Sequence, residues 1–473
     1  MVGAAIIAQA INFFGTLAVA RLYGPVEVGI FGLYTAVFSI VVFAASWRYE
    51  VAIVTVDADR EANDVALFVI GAGIASAITA ALGLLAIEVL PNSIGLEASL
   101  RHALAALPIS LLLASANLAG VNLETRNRRF RRVALQQIVT AVVTIGAQLA
   151  FERIPIPGSR LVAGFMFGQF AGTVVMARPL ALAALEATGR PMKLARLRQV
   201  FGAHKAHLLY TVPFSLVTQF YFQMPVVALA ALVGTREAGL FSIAFRTTFL
   251  PITLIPTAFA QVLFPSMARD RDRLHVWEPR LLAFLVGLGT LLIPAVALIL
   301  VFGPDVYEMI LGSQWRAAGI LAQIIVVANL MNGLASGYDR IYFVLHRQHI
   351  SLLIVCVISA LSVAAMTLAY SMFRTAQWLV TAWMLPHLVL AFAWVAIIYW
   401  IAGFSIKSLV MRWVLIAAAL ASAAGALIAG KYIPAGDAWL FLVAASLAAI
   451  YGWILWWSLR PLKPLLFTRS PSR

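Results

Sequence analysis

Residues 232–267 read LVGTREAGLFSIAFRTTFLPITLIPTAFAQVLFPSM. The first ten, LVGTREAGLF, repeat LYGPVEVGIF at 22–31. Leu22/Leu232, Gly24/Gly234, Glu27/Glu237, Gly29/Gly239 and Phe31/Phe241 are identical in register. Each copy lies between two apolar segments, so the chain reads as a duplicated membrane bundle, and repeats of whole transmembrane halves mark transporters. The same stretch carries Arg246 inside an apolar run. A charge facing lipid at such depth costs at least about 2.5–3.5 kcal/mol. From a span start near Leu240, Arg246 lies about 9 Å in, at ~1.5 Å rise per residue. It is expected to face a cavity; the plainer alternative is a side chain that snorkels to the outer interface.

The whole chain agrees with a membrane protein. Its 473 residues are 63% hydrophobic and 11% charged, against roughly 25% charged in soluble domains. About fourteen apolar spans can be drawn, near 2–20, 30–47, 65–87, 104–121, 134–151, 161–178, 208–231, 240–263, 281–302, 318–338, 351–372, 378–401, 413–430 and 438–458. Most reach the ~17–25 residues a bilayer helix needs, and the alternation of outer-membrane strands is missing. The fold class expected is an all-α integral membrane protein with about 14 transmembrane helices. The N-terminal run shows no cleavage pattern and is expected to be retained. The lone Cys356 excludes an intrachain disulfide.

The net charge of +15 is a matter of orientation, not of nucleic-acid binding. One set of loops holds only Arg21, Arg101, Arg153, Arg160, Arg236, Arg316, Arg374 and Lys431; apart from Arg246, every other lysine and arginine falls in the opposite set. By the positive-inside rule both termini lie in the cytoplasm. The longest connection, about 179–207, is basic and partly amphipathic. It reads as an interfacial helix tying two halves together, with a docking site for a cytoplasmic enzyme as the sharper alternative. No outward loop exceeds about twenty residues, which argues against a glycan polymerase or ligase built on a large outer loop.

Polar residues recur at helical spacing inside the spans. Gln9, Asn12 and Thr16 share one side of span 1; Gln136, Thr140, Thr144 and Gln148 one side of span 5. Thr211, Ser215, Gln219 and Gln223 do so in span 7, and Asn329, Asn332, Ser336 and Asp339 in span 10. Such rows avoid lipid. They either bond between helices, at ~0.6 kcal/mol each, or line a hydrated cavity. Trp47–Arg48–Tyr49–Glu50 closes span 2 on the inner side, where Arg48 could meet an incoming anion or pair with Glu50 at the interface. Asp339 and Arg340 close span 10 in an equivalent position, as a possible gate or an ordinary interfacial pair. Pro213, Pro225, Pro251 and Pro256 are expected to interrupt spans 7 and 8. Gly24, Gly29, Gly234 and Gly239 are read as shaping outer turns. Glu27 and Glu237 favour helix N-termini.

No metal-spaced cluster, phosphate loop or nucleophile elbow is present, so neither an enzyme nor a cofactor is expected. The seven histidines are assigned to loops or span ends, as is every Asp and Glu. The missing deep acid weighs against an exporter of drugs or small cations, the alternative function.

ARLYGPVEVGIFGLY at 20–34, RYEVAIV at 48–54 and LGSQWRAAG at 311–319 resemble the polysaccharide-biosynthesis flippases. These are the Wzx-type oligosaccharide translocases of the multidrug/oligosaccharidyl-lipid/polysaccharide exporter superfamily. AFRTTFLPITLIPTAFAQVLFPSM at 244–267 is similar to a helix of the lipid II flippases, with Arg246, Leu250–Pro251 and Phe264–Pro265–Ser266 on its motif. The first two helices lack those flippases' clustered arginines, which argues against lipid II as cargo. The resemblance implies two six-helix lobes, an N-lobe at 1–178 and a C-lobe at 208–402. These are joined by the linker 179–207 and followed by two extra helices and a tail at 403–473. It implies a multi-pass protein of a bacterial inner membrane that flips an undecaprenyl-diphosphate-linked oligosaccharide. Polysaccharide polymerase or glycosyltransferases are its possible partners. In that role Arg246 and Arg48 would meet the diphosphate. Gln9, Asn12, Gln219, Gln223, Asn329 and Asn332 would line the cavity, and Glu50, Asp339 and Arg340 would serve as a gate.

Overall fold

In lipid each backbone N–H and C=O must be paired within its own segment, so apolar runs of this length become helices. The computed structural model describes residues 2–56, 58–89, 98–154, 156, 159–188, 212–269, 271–336, 338–345 and 347–432. Among them no strand occurs, and thirteen long helices fall on the first thirteen apolar runs. They are α1 (Val2–Leu22), α2 (Pro25–Ala45), α3 (Asp59–Val89), α4 (Leu107–Arg126), α5 (Phe130–Ala150), α6 (Arg160–Thr188) and α7 (Val212–Leu232). Then follow α8 (Thr235–Arg269), α9 (Glu278–Leu311), α10 (Arg316–Ser336), α11 (Gln348–Phe373), α12 (Ala376–Ala402) and α13 (Ile406–Tyr432). Among the described residues, 11 helices are long and apolar enough to cross a membrane. The chain is a multi-pass membrane protein. The fourteenth run, 438–458, and most of the linker, 189–207, lie outside the described residues.

The chain forms two units, 1–243 and 244–473. Within the first, α3 packs on α4, α4 on α6 and α5 on α6; within the second, α9 packs on α10, α10 on α12 and α11 on α12. The same three pairings recur six helices later, which is the structural counterpart of the sequence repeat. The extra helix α13 lies along α9, with Ile416 over Gly289. Lipid tails are as apolar as leucine, so these contacts rest on shape and on buried polar pairs rather than on transfer from water. In the second unit, Trp277, Leu281 and Phe284 of the α9 region pack with Leu330 and Leu334 of α10, Ile398 and Tyr399 of α12, and Trp413 of α13. In the first, Tyr34 and Phe38 of α2 pack edge-on against Phe165 of α6. Large apolar side chains such as Phe14, Phe170 and Val389 point outward, as lipid-facing residues do.

Three expectations change. Gly29 and Gly239 are not turn residues: they lie inside α2 and α8 and face each other within the first unit. Gly234, at φ 143°, does form the turn before α8. The expected prolines lie within continuous helices rather than between two. Pro225 sits inside α7, Pro251 and Pro256 inside α8, and α6 runs through Pro179 to Thr188. Within a membrane, neighbouring helices and local adjustments of the backbone let a helix continue past a proline's missing N–H. Finally, His387 is not at a span end. It lies well inside α12 and is only 8% exposed.

Candidate functional site

Within the first unit the polar row of α5 bonds between helices. Gln136 donates to the Asn117 side chain (3.1 Å), and Asn117 in turn donates to the Gln169 carbonyl (3.0 Å) and to Thr173 (2.9 Å). Gln148 donates to the Leu161 carbonyl at 3.0 Å, and its own carbonyl accepts from the Tyr23 hydroxyl at 2.6 Å. These groups tie α4, α5 and α6 together and leave little for a ligand. Gln9 and Asn12 of α1 and Gln219 and Gln223 of α7 differ. They are half-buried, and they make no side-chain hydrogen bond with any described residue.

At one end of the same unit, Glu27 accepts from the backbone N–H of Arg160 (3.1 Å) and pairs with its guanidinium (3.0 Å). Arg160 also lies over the Tyr23 ring, 5.1 Å from its centre. Burial pushes the Tyr23 hydroxyl up to about 12, with the Arg160 charge opposing.

The Trp47–Glu50 stretch is a strained turn. Trp47 and Arg48 both take left-handed φ values, 52° and 59°, a conformation that costs a non-glycine residue roughly 1–2 kcal/mol. The turn lays Arg48 over the Phe43 ring (4.7 Å) and within 3.2 Å of Glu50, which is only 3% exposed. Tyr49, fully enclosed, packs on Phe68 at 4.7 Å, and burial raises its hydroxyl above the ordinary value. Nearby, Arg126 donates to the carbonyls of Ile53 and Val56 and pairs with Asp59 at 3.0 Å. Glu124, with no exposed surface, receives Arg132 at 3.0 Å. Much of the basic loop after α4 therefore fastens helix ends.

Within the second unit Arg246 sits on α8, eleven residues beyond Thr235, about 16 Å along the axis at ~1.5 Å per residue. It is half-buried and is followed by two hydroxyls that hold neighbouring helices. Thr247 bonds to the Tyr307 hydroxyl of α9, and Thr248 accepts from the Asn329 amide of α10 at 2.8 Å. Asn332, half-buried on α10, makes no side-chain hydrogen bond with a described residue. Asp339 and Arg340 begin a short helix, Asp339–Val344, and their side chains lie outside the described residues. Sequence reasoning missed Thr247, Thr248 and Tyr307. The TT pair after Arg246 was the available signal, but in sequence a hydroxyl that reaches a neighbouring helix looks the same as one bonded only to the carbonyl four residues back, and Thr248 does both.

A family model described as polysaccharide biosynthesis protein matches residues 18–320. The chain belongs to that family. No curated protein matches the sequence. Among solved structures, this family member is similar to "Lipid II flippase MurJ, inward closed conformation", with TM-score 0.74 and 12% identity over 97% of this chain and 98% of that one. It is also similar to an inward-facing "multidrug resistance MATE family transporter of the MOP superfamily", with TM-score 0.58 and 14% identity over 85% and 95%. The outward-facing form of such a transporter gives TM-score 0.55 at 14% identity. At these identities the likeness is one of fold: the family member has the all-helical fold of these transporters.

Proposed function

We propose that this protein moves an undecaprenyl-diphosphate-linked oligosaccharide from the cytoplasmic to the outer leaflet of a bacterial inner membrane, for O-antigen or exopolysaccharide synthesis. Arg246 carries the reading. Among the described helices no other lysine or arginine sits so far from both ends of an apolar segment, and a guanidinium suits a diphosphate through bidentate, charge-assisted bonds. The family match and the flippase-like fold support it. Arg48 serves at the cytoplasmic mouth, with Glu50 as its partner before substrate arrives. Asp339 and Arg340 act as a second inner gate. Gln9, Asn12, Gln219, Gln223, Asn329 and Asn332 offer exchangeable hydrogen bonds to sugar hydroxyls and water. The lobes at 1–178 and 208–402 move by alternating access while the polyprenyl tail stays in lipid. Both termini are cytoplasmic. The cargo comes from glycosyltransferases and passes to a polymerase.

Deletion followed by analysis of lipid-linked glycans on each membrane face tests this. Accumulation of a completed repeat unit on the cytoplasmic face is expected. Loss of its synthesis would point to an enzyme. Unchanged lipid intermediates with altered drug tolerance would point to an exporter.

A further inference from the structure

Two arginines of the first unit, Arg131 and Arg178, are exposed, and neither makes an ion pair or a side-chain hydrogen bond with a described residue. Packing places them close together. A Cβ on Gly164 would meet Gln148, one on Gly168 would meet Thr144, and one on Gly172 would meet Thr140. So α5 and α6 run antiparallel, and each step back along α5 matches one step forward along α6. At that register Arg178 of α6 lies level with Ala134 of α5, one turn from Arg131. Arg178 is eighteen residues beyond Arg160, the first residue of α6, about 27 Å at ~1.5 Å per residue. Arg131 is nineteen residues before Ala150, the last residue of α5, about 28 Å on the same measure. Both lengths are close to the ~30 Å of a bilayer's hydrocarbon, so both guanidinium groups reach the headgroup level of one leaflet.

The acids of this end are engaged elsewhere. Glu124 holds Arg132 and Arg129, Asp59 holds Arg126, and Glu186, two turns beyond Arg178, accepts from Asn63 at 2.6 Å. What flanks the two arginines is apolar. Val174 and Leu182 stand one turn either side of Arg178 on the exposed face of α6. Leu135 stands one turn from Arg131 on the exposed face of α5, with exposed Phe130 beside it. The two faces adjoin: Phe151, which follows α5, meets exposed Phe167 of α6 with ring centroids 5.3 Å apart. An arginine placed for water looks different. Arg60, next to the Asp59–Arg126 pair, is exposed among Asp59, Glu61 and Asp64. We propose that Arg131 and Arg178 bind the phosphate of an anionic phospholipid at the α5–α6 seam, with its acyl chains along Leu135, Val142, Phe170 and Val174. Two guanidinium groups share phosphate oxygens through charge-assisted bonds. A soluble anion gains nothing from the apolar side chains, and a choline headgroup brings a third cation to the two arginines. The site does not depend on the cargo proposed above.

The test uses the full chain in detergent micelles, titrated with dioleoyl phosphatidylglycerol or dioleoyl phosphatidylcholine, with bound lipid counted by native mass spectrometry. Wild type should retain phosphatidylglycerol in preference to phosphatidylcholine. Arg131→Gln and Arg178→Gln should each weaken that retention about fivefold, the scale of one basic residue at an anionic membrane surface. Arg178→Lys keeps the charge, loses the fork and should weaken it less. Arg60→Gln should leave it unchanged. An equal loss in Arg60→Gln would reduce the effect to general surface charge and overturn the site. So would unchanged retention when both Arg131 and Arg178 are replaced by Gln, or equal retention of the two lipids. Displacement of the lipid by glycerol phosphate would mark a site for soluble anions and overturn the lipid assignment.

Discussion

Gly29 of α2 and Gly239 of α8 occupy the same position in the two copies of the repeat, and in the first unit they touch each other. A Cβ on Gly29 would strike the carbonyl oxygen of Thr235, and one on Gly239 would strike that of Pro25. Pro25 and Thr235 are themselves repeat-equivalent, so the contact is locally two-fold: each helix start lies against the other's glycine. Small residues allow this approach, the usual device for bringing backbones together in a membrane. Neither obstructing atom is the tip of a flexible side chain, so the helices must separate to admit a methyl group. Gly239→Ala and Gly29→Ala should each destabilise the protein by about 1–3 kcal/mol. Gly71→Ala and Gly146→Ala, which meet nothing within 4 Å, should be neutral. Thermal melting followed by size exclusion of the solubilised protein distinguishes the pairs.

Arg246 is predicted to act through charge and fork geometry together. Arg246→Gln should lower glycan export by ten- to a hundredfold at unchanged protein level, the scale of one lost charge-assisted interaction of ~1.5–3 kcal/mol. Arg246→Lys keeps the charge but not the bidentate geometry and should retain part of the activity. Surface glycan measured in a deletion strain carrying each variant gives the result, and full export by Arg246→Gln would remove the residue from the transport role.

The repeat, the helices and Arg246 were legible in the sequence because each leaves a one-dimensional trace: matched residues, apolar length, and a charge where none belongs. The use of the polar rows was not. Gln136 and Gln9 have the same spacing signature, yet Gln136 is bonded across helices while Gln9 makes no side-chain hydrogen bond with a described residue. Periodicity gives the face of a helix and not what stands opposite it. Gly29 and Gly239 were visible as repeated glycines near helix starts, but a turn and a close approach need the same residue. His387 was assigned with the other histidines to a loop or span end, although the run on both sides of it is apolar and α12 continues through it.

Thr248 and Asn329 join α8 to α10 by a buried hydrogen bond of 2.8 Å. Interhelical bonds of this kind average ~0.6 kcal/mol and reach about 1.7. Thr248→Val and Asn329→Leu should each cost an amount in that range. The double variant should cost less than their sum, because the second change removes a group that the first has already left alone. A full double-mutant cycle on thermal stability measures the coupling. Strict additivity would show that the bond contributes nothing.

Glu124 and Arg132 present the opposite balance. The carboxylate has no exposed surface and lies 3.0 Å from Arg132, with Arg129 at 3.8 Å. One of its oxygens has no hydrogen-bond partner among the described residues. Removing both charges from water is costly, and the pair recovers that cost only while it is intact. Arg132→Met alone should destabilise the first unit by about 3–5 kcal/mol, since it strips the nearer counter-charge from a buried carboxylate. Glu124→Leu with Arg132→Met leaves no such charge and should recover most of the stability. The single variant should expose the turn at 127–129 to limited proteolysis and the double variant should not. Equal protection of the two would mean that Arg129 alone holds the carboxylate.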